Sequence, residues 1–133
     1  MSMRKLVYIA SPLSGDVEKN LDFARQACLY AMAQGVTPFA PHLLYPQMLD
    51  DNDPVQRELG MNMGSQMLAL CDELWLCGNR ISPGMASEMK LAEELGIPVQ
   101  KISTEEILNC PLEGLRWEEE PEQPPGPSMG SLC

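Results

Sequence analysis

Histidine is nearly missing from this chain, whose 133 residues contain one, His42. The cysteines Cys28, Cys71, Cys77, Cys110 and Cys133 sit in no metal-ligand spacing. A zinc site would have to be assembled from scattered parts, so neither a metal nor a cofactor is expected. The odd cysteine count argues against a closed disulfide framework and for structural thiols in a reducing compartment. Basic residues are also few, with nine Lys and Arg against nineteen Asp and Glu, and the net charge of −10 disfavours binding to a nucleic acid polymer. A small anionic ligand stays compatible, because backbone N–H groups at a helix start hold one without net positive charge. No apolar run approaches the roughly 18 residues that a membrane span needs. The two basic residues near the start, Arg4 and Lys5, lead straight through Ala10 into a Ser-Pro turn, without the apolar stretch of a secretion signal. One cytoplasmic domain with a sizeable core and no membrane partner is expected.

Lys5 to Ala10 is a β-rich apolar run closed by the turn Ser11 to Asp16, and a helical pattern follows from Val17 to Gln34, where Gly35 stops it. Val36 to Ala40 is a short second strand before a proline-bracketed loop, Pro41 to Pro46, and an acidic stretch, Asp50 to Asp53. Pro54 to Leu70 has the pattern of a Met-rich helix weakened by Gly60 and Gly64. Glu73 to Cys77 is a third strand and Ile97 to Ile102 a fourth, with a helix between them and a short one beginning at Ser103 or Thr104. Strands alternating with helices imply a three-layer α/β/α fold, flavodoxin- or Rossmann-like, around a mostly parallel sheet of four to five strands. The α/β domain is placed at residues 1–116. Residues 117–133 are too rich in proline and acid to pack and are expected to form a disordered tail.

The helix between the third and fourth strands carries the main anomaly. Ser82 suits its N-cap, Pro83 its first turn and Gly96 its C-terminal stop. At about 100° per residue, Met85, Met89, Leu91, Ala92 and Leu95 share one arc, opposite Ser87, Lys90, Glu93 and Glu94. Glu88 falls inside the apolar arc, where an ionised carboxylate must be paired, hydrogen-bonded or turned toward a ligand cavity.

In an open parallel sheet, ligands bind beyond the carboxyl ends of the strands, where the strand order reverses. Three loops converge there, contributing Ser11, Ser14 and Gly15; then His42; then Asn79, Ser82 and Gly84. Tyr8, near the end of the first strand, is placed to line the same crevice and hold Glu88. Each residue also has a plainer explanation: turn formation for Ser11, Ser14 and Gly15, core packing for Tyr8, an exposed loop for His42.

The segments Tyr8 to Gly15, Cys71 to Gly78 and Ser82 to Glu88, followed by Ala92, together resemble the nucleoside 2-deoxyribosyltransferase superfamily, which includes deoxynucleoside 5′-monophosphate N-glycosidases. The resemblance covers roughly Lys5 to Val99. It implies that Glu88 attacks the anomeric carbon of a deoxyribosyl group, as the carboxylate of a retaining glycosidase does, while Tyr8 orients it. It also implies that Ser82 stands at a phosphate- or sugar-contacting position, so that the small-molecule partner is a nucleoside or nucleoside 5′-monophosphate. By the same resemblance the chain forms a homodimer or higher homo-oligomer; the Met-rich helix, with Met61, Met63 and Met67, offers a contact surface, although methionines on a helix more often pack into a core.

The sequence departs from that pattern in two places. The aspartate that assists leaving-group protonation in the family is replaced near Gly64, beside Asn62 and Ser65, and Ser14 stands where the N-glycosidases carry an arginine. Glu58, Asp72 and His42 are the candidate substitutes. Three readings therefore stand side by side: an enzyme of the N-glycosidic bond, a nucleotide-binding module that has lost the chemistry, and a small α/β protein in which Glu88 only satisfies Tyr8.

Overall fold

Four short strands alternate with helices along the chain, in a computed structural model that describes residues 4–113 and 115. The expected tail, 117–133, lies outside the described residues. Strand β1 (Leu6–Ala10) leads to helix α1 (Val17–Ala33), and β2 (Thr37–Phe39) to two 3-10 turns, Pro41–Leu43 and Tyr45–Gln47. Helix α2 (Pro54–Ala69), β3 (Glu73–Cys77), α3 (Pro83–Leu95), β4 (Val99–Ile102) and the short α4 (Thr104–Leu108) complete the order.

Local signals in the sequence set most of these bounds. Asp16 caps α1 by accepting the Lys19 N–H at 3.2 Å, and Asp53 caps α2 by accepting from Val55 N at 3.0 Å. Ser82 and Ser103 do the same for α3 and α4, while Gly96 ends α3 in the left-handed conformation with φ +73°. The fourth strand starts at Val99 instead of Ile97, because Pro98 has no N–H to give the ladder.

The sheet is parallel throughout, in the order β2-β1-β3-β4. Leaving β1, the chain first builds toward β2 and later returns to add β3 on the other side, so the order reverses between β1 and β3. Side chains of each strand alternate between two apolar layers. Val7, Ile9, Trp75, Cys77 and Ile102 pack beneath Ala27, Cys28 and Ala31 of α1 and Ile107 of α4. Tyr8, Ala10, Leu74 and Leu76 face Leu68 of α2 and Met85 and Ala92 of α3. This is the three-layer arrangement that the alternation implied. One detail of the helical arc differs: Leu95 is 48% exposed, and the packed stripe of α3 runs through Met85, Met89 and Ala92.

At the edge of the sheet where the strands begin, buried Glu73 accepts hydrogen bonds from Lys5 Nζ at 2.7 Å, Trp75 Nε1 at 3.0 Å and Gln100 Nε2 at 2.9 Å. Glu73→Ala strands the indole N–H of the buried Trp75. A loss of about 2 kcal/mol in unfolding free energy is expected by urea titration, and a change near zero would show that the indole finds another acceptor.

Candidate active site

A cavity of about 520 Å³ opens over the carboxyl ends of the strands, on the α2 and α3 side of the sheet. Tyr8 of β1 forms part of its floor. Leu13 and Ser14 approach from the loop after β1, His42 and Tyr45 from the turns after β2, and Ser82 to Glu88 from the start of α3. The volume lies in the range of small-molecule sites.

Glu88 and Tyr8 meet inside this cavity. The Tyr8 hydroxyl donates to Glu88 Oε2 at 2.5 Å, and its ring is fixed against Phe39, with centroids 5.9 Å apart, which in turn packs on Tyr45. Helix α2 passes so close that a Cβ added at Gly64 would lie 3.1 Å from the Tyr8 oxygen. A glycine is what lets the hydroxyl stand between α2 and α3. Burial pushes the Glu88 carboxyl up to about 7, against the hydrogen bond from Tyr8, which favours the ionised form. Burial first, then the neighbouring Glu88, holds the Tyr8 hydroxyl protonated. Glu88 is thus a carboxylate poised near neutrality at the wall of an open hollow, a state suited to nucleophilic or proton-transfer work.

The remaining residues singled out from the sequence divide into two groups. Ser14, His42, Ser82 and Gly84 line the cavity with Tyr8 and Glu88. Ser82 Oγ accepts the Met85 N–H at 3.2 Å as the cap of α3, which leaves its own hydrogen to donate. Ser11, Gly15 and Asn79 do not line it. Ser11 is buried at the end of β1 with its hydroxyl unpartnered, and Gly15 is exposed at the outer side of the first loop with φ +99°. Asn79 is turned to the other face, where it donates to Glu105 at 3.0 Å and accepts from Thr104 N at 3.1 Å. The third loop therefore reaches the cavity through Ser82 to Gly84 alone. Asn79 serves the junction with α4, and a side chain at Gly78 would meet Phe23 of α1 at 3.3 Å.

Two of the candidate substitutes for the family's acid are also placed elsewhere. Asp72 accepts the Leu6 N–H at 2.8 Å at the opposite edge of the sheet, and Glu58 borders a smaller hollow outside α2. His42 remains in the cavity, half-buried, where burial lowers its pKa while Asp51 and the Ser11 backbone act in the other direction.

Of the wall made by α2 and the acidic loop before it, the sequence reading took up only Glu58 and the neighbourhood of Gly64 and Ser65, as the place of the family's aspartate and a substitute for it. Asp51, Gln56, Arg57 and Ser65 line the cavity there, together with Gly60 and Gly64. The signal was present. Two glycines four apart lie on one side of a helix, and the smooth stripe they leave faces the hollow.

Residues 5–102 match the sequence family described as a domain of unknown function, DUF7768. The chain belongs to the DUF7768 family. Comparison of its sequence with curated proteins finds no match. Among solved structures, this DUF7768 protein is similar to the 2-deoxyribosyltransferase of the psychrotolerant bacterium Bacillus psychrosaccharolyticus, with a TM-score of 0.61 at 21% identity over 74% of this chain and 72% of that one. It is also similar to the 2-deoxyribosyltransferase of Leishmania mexicana, with a TM-score of 0.55 at 19% identity over 86% of this chain and 79% of the other. At such identities the likeness is one of fold. This DUF7768 protein has a nucleoside 2-deoxyribosyltransferase-like fold, and among its described residues no helix is long and apolar enough to cross a membrane.

Proposed function

We propose that this DUF7768 protein cleaves or transfers across the N-glycosidic bond of a nucleoside or nucleoside 5′-monophosphate, with Glu88 as the nucleophile. The observation that carries the reading is the Tyr8–Glu88 pair at the wall of an open cavity. A carboxylate that only satisfied Tyr8 would need no hollow beside it. Glu88 attacks the anomeric carbon as the base departs, and the glycosyl-enzyme is resolved by water or by a second base. Tyr8 steers the carboxylate and favours its ionised form. Ser82 and the backbone at Gly84, at the start of α3, suit a phosphate or sugar oxygen, with Ser14 across the cavity.

The test is to incubate the protein with each 2′-deoxynucleoside and its 5′-monophosphate, with and without an acceptor base, and to follow free and exchanged base by chromatography. Release or exchange that depends on Glu88 supports the reading. A second reading draws on α2, whose cavity face carries no carboxylate beside Tyr8. In that case the protein binds nucleotides without turning them over. Ligand-dependent thermal stabilisation with no product would favour it, since binding to the folded state alone raises the melting temperature.

A homo-oligomer belongs to the first reading. Val55, Leu59, Met61 and Leu70 of α2 and its end are exposed, at 76%, 49%, 56% and 67% respectively, while Met63 and Met67 are half-buried. Apolar side chains concentrated on one helix suit a second copy of the chain. Light scattering is expected to give at least a dimer, and Leu59→Glu with Met61→Glu to reduce it; a monomeric wild type would remove this element.

A further inference from the structure

A base leaves a sugar readily only when its departing nitrogen receives a proton, and the cavity of this protein has to supply one. The titratable side chains that line it are Tyr8, His42, Tyr45, Asp51, Arg57 and Glu88. Phenols and guanidinium groups, as chemical classes, release protons only well above neutrality. Glu88 is taken up by the attack itself. One imidazole and one carboxylate remain.

Both border the same cavity. His42 stands on the 3-10 turn Pro41–Leu43, where burial lowers its pKa most and the charge of Asp51 and the Ser11 backbone act against that. Asp51 comes from the loop before α2, and its exposed side chain borders both the cavity and the smaller hollow next to it. A second observation points the same way. The approach of the Tyr8 hydroxyl to Gly64 leaves no room for an acid at that point of α2 unless Tyr8 moves. With Asp72 and Glu58 placed elsewhere, the side chains left to carry the proton are those on the His42 and Asp51 side.

We propose that His42 is the proton donor to the leaving base and that Asp51, which borders the same cavity, is the positioning residue that keeps the imidazole oriented. This assignment rests on the glycosidic-bond reading given above. In the first step a Glu88 oxygen forms a bond to the anomeric carbon, the carbon–nitrogen bond breaks, and the imidazolium N–H passes its proton to the base. In the second step water attacks the anomeric carbon, the neutral imidazole takes the water's proton, and Glu88 departs as a carboxylate. The sum is glycoside plus water to free base plus sugar, with His42 and Glu88 returned to their starting forms.

The experiment compares 2′-deoxyguanosine 5′-monophosphate with its N7-methyl derivative, whose cationic base departs without further protonation. In a single turnover with enzyme in excess, which reads the first step alone, His42→Ala is expected to slow guanine release roughly a hundredfold to ten-thousandfold and to slow release of 7-methylguanine far less. Asp51→Asn, a change at an exposed side chain, is expected to slow the unmodified substrate alone, by a smaller factor and in kcat more than in KM. If the His42 variant does not fold, the selective effect of Asp51→Asn decides. Equal slowing of both substrates by these variants, or no slowing of either, overturns the assignment while the glycosidic-bond reading stands. Release from neither substrate by the wild type, or undiminished release by Glu88→Ala, overturns the reading itself.

Discussion

Glu88→Ala is expected to abolish base release while the fold and the cavity persist. The reasoning starts from burial. A carboxylate raised to about 7 by desolvation is one that the folded protein holds less comfortably in its ionised form than the unfolded chain does. Above neutral pH its removal lifts that burden, and the lost acceptor of the Tyr8 hydroxyl costs about 1–3 kcal/mol in return. The melting temperature at pH 8 should therefore equal or exceed that of the wild type. Activity should behave in the opposite way. Removing a nucleophile from an enzyme that works through a covalent intermediate lowers kcat by a factor on the order of 10⁴ to 10⁶. A stable variant without activity separates chemistry from folding, and a stable variant with substantial activity would remove Glu88 from the mechanism.

Tyr8→Phe should move the acid limb of the pH–rate profile to higher pH for the N7-methyl substrate, whose base needs no proton from His42. The sign follows from the two opposing influences on Glu88. Burial raises its pKa and the hydrogen bond from Tyr8 lowers it, so losing the hydroxyl leaves burial unopposed. The nucleophile is the ionised form, whose population grows as pH rises through the pKa. The variant therefore needs a more alkaline medium to reach the same ionised fraction. Near neutrality the rate is expected to fall roughly tenfold to a hundredfold, the worth of a hydrogen bond to a charged group. Partial recovery at alkaline pH should follow with that substrate. An acid limb that stays in place would mean that Tyr8 has no hold on the carboxylate.

Much of this architecture is legible in the sequence because its signals are local. Caps at Asp16, Asp53, Ser82 and Ser103 and the stop at Gly96 fix helix ends through contacts within a few residues. Strands such as Glu73–Cys77 are apolar on both faces because helices cover both. The Tyr8–Glu88 pair was also accessible, since a carboxylate on an apolar arc demands a partner and the βα order places a strand end nearby.

What escaped were features set by distant packing. Asn79 has the composition of a ligand-binding loop residue, but its partners, Glu105 and Thr104, lie about 25 positions further along, at a helix the local pattern does not tie to it. Gly60 and Gly64 read as weak points of α2 when only propensity is weighed. In the folded chain Gly64 is buried against Tyr8, and the space it leaves open belongs to the site. Asp51 is visible in the sequence only as part of an acidic stretch, and Arg57 carries no local signal of a site. Their role as cavity wall depends on how α2 crosses α3, which no short window encodes.

Trapping the covalent intermediate tests the role of Glu88 most directly. A 2′-fluoro-2′-deoxyarabinosyl nucleotide slows the hydrolysis of a glycosyl-enzyme, because fluorine destabilises the oxocarbenium-like transition state. Mass spectrometry of the protein after incubation should show an increase equal to the fluorinated sugar, carried after digestion on the peptide that contains Glu88, and none in Glu88→Ala. Base release without any adduct, or an adduct on another residue that survives in Glu88→Ala, would contradict the assignment.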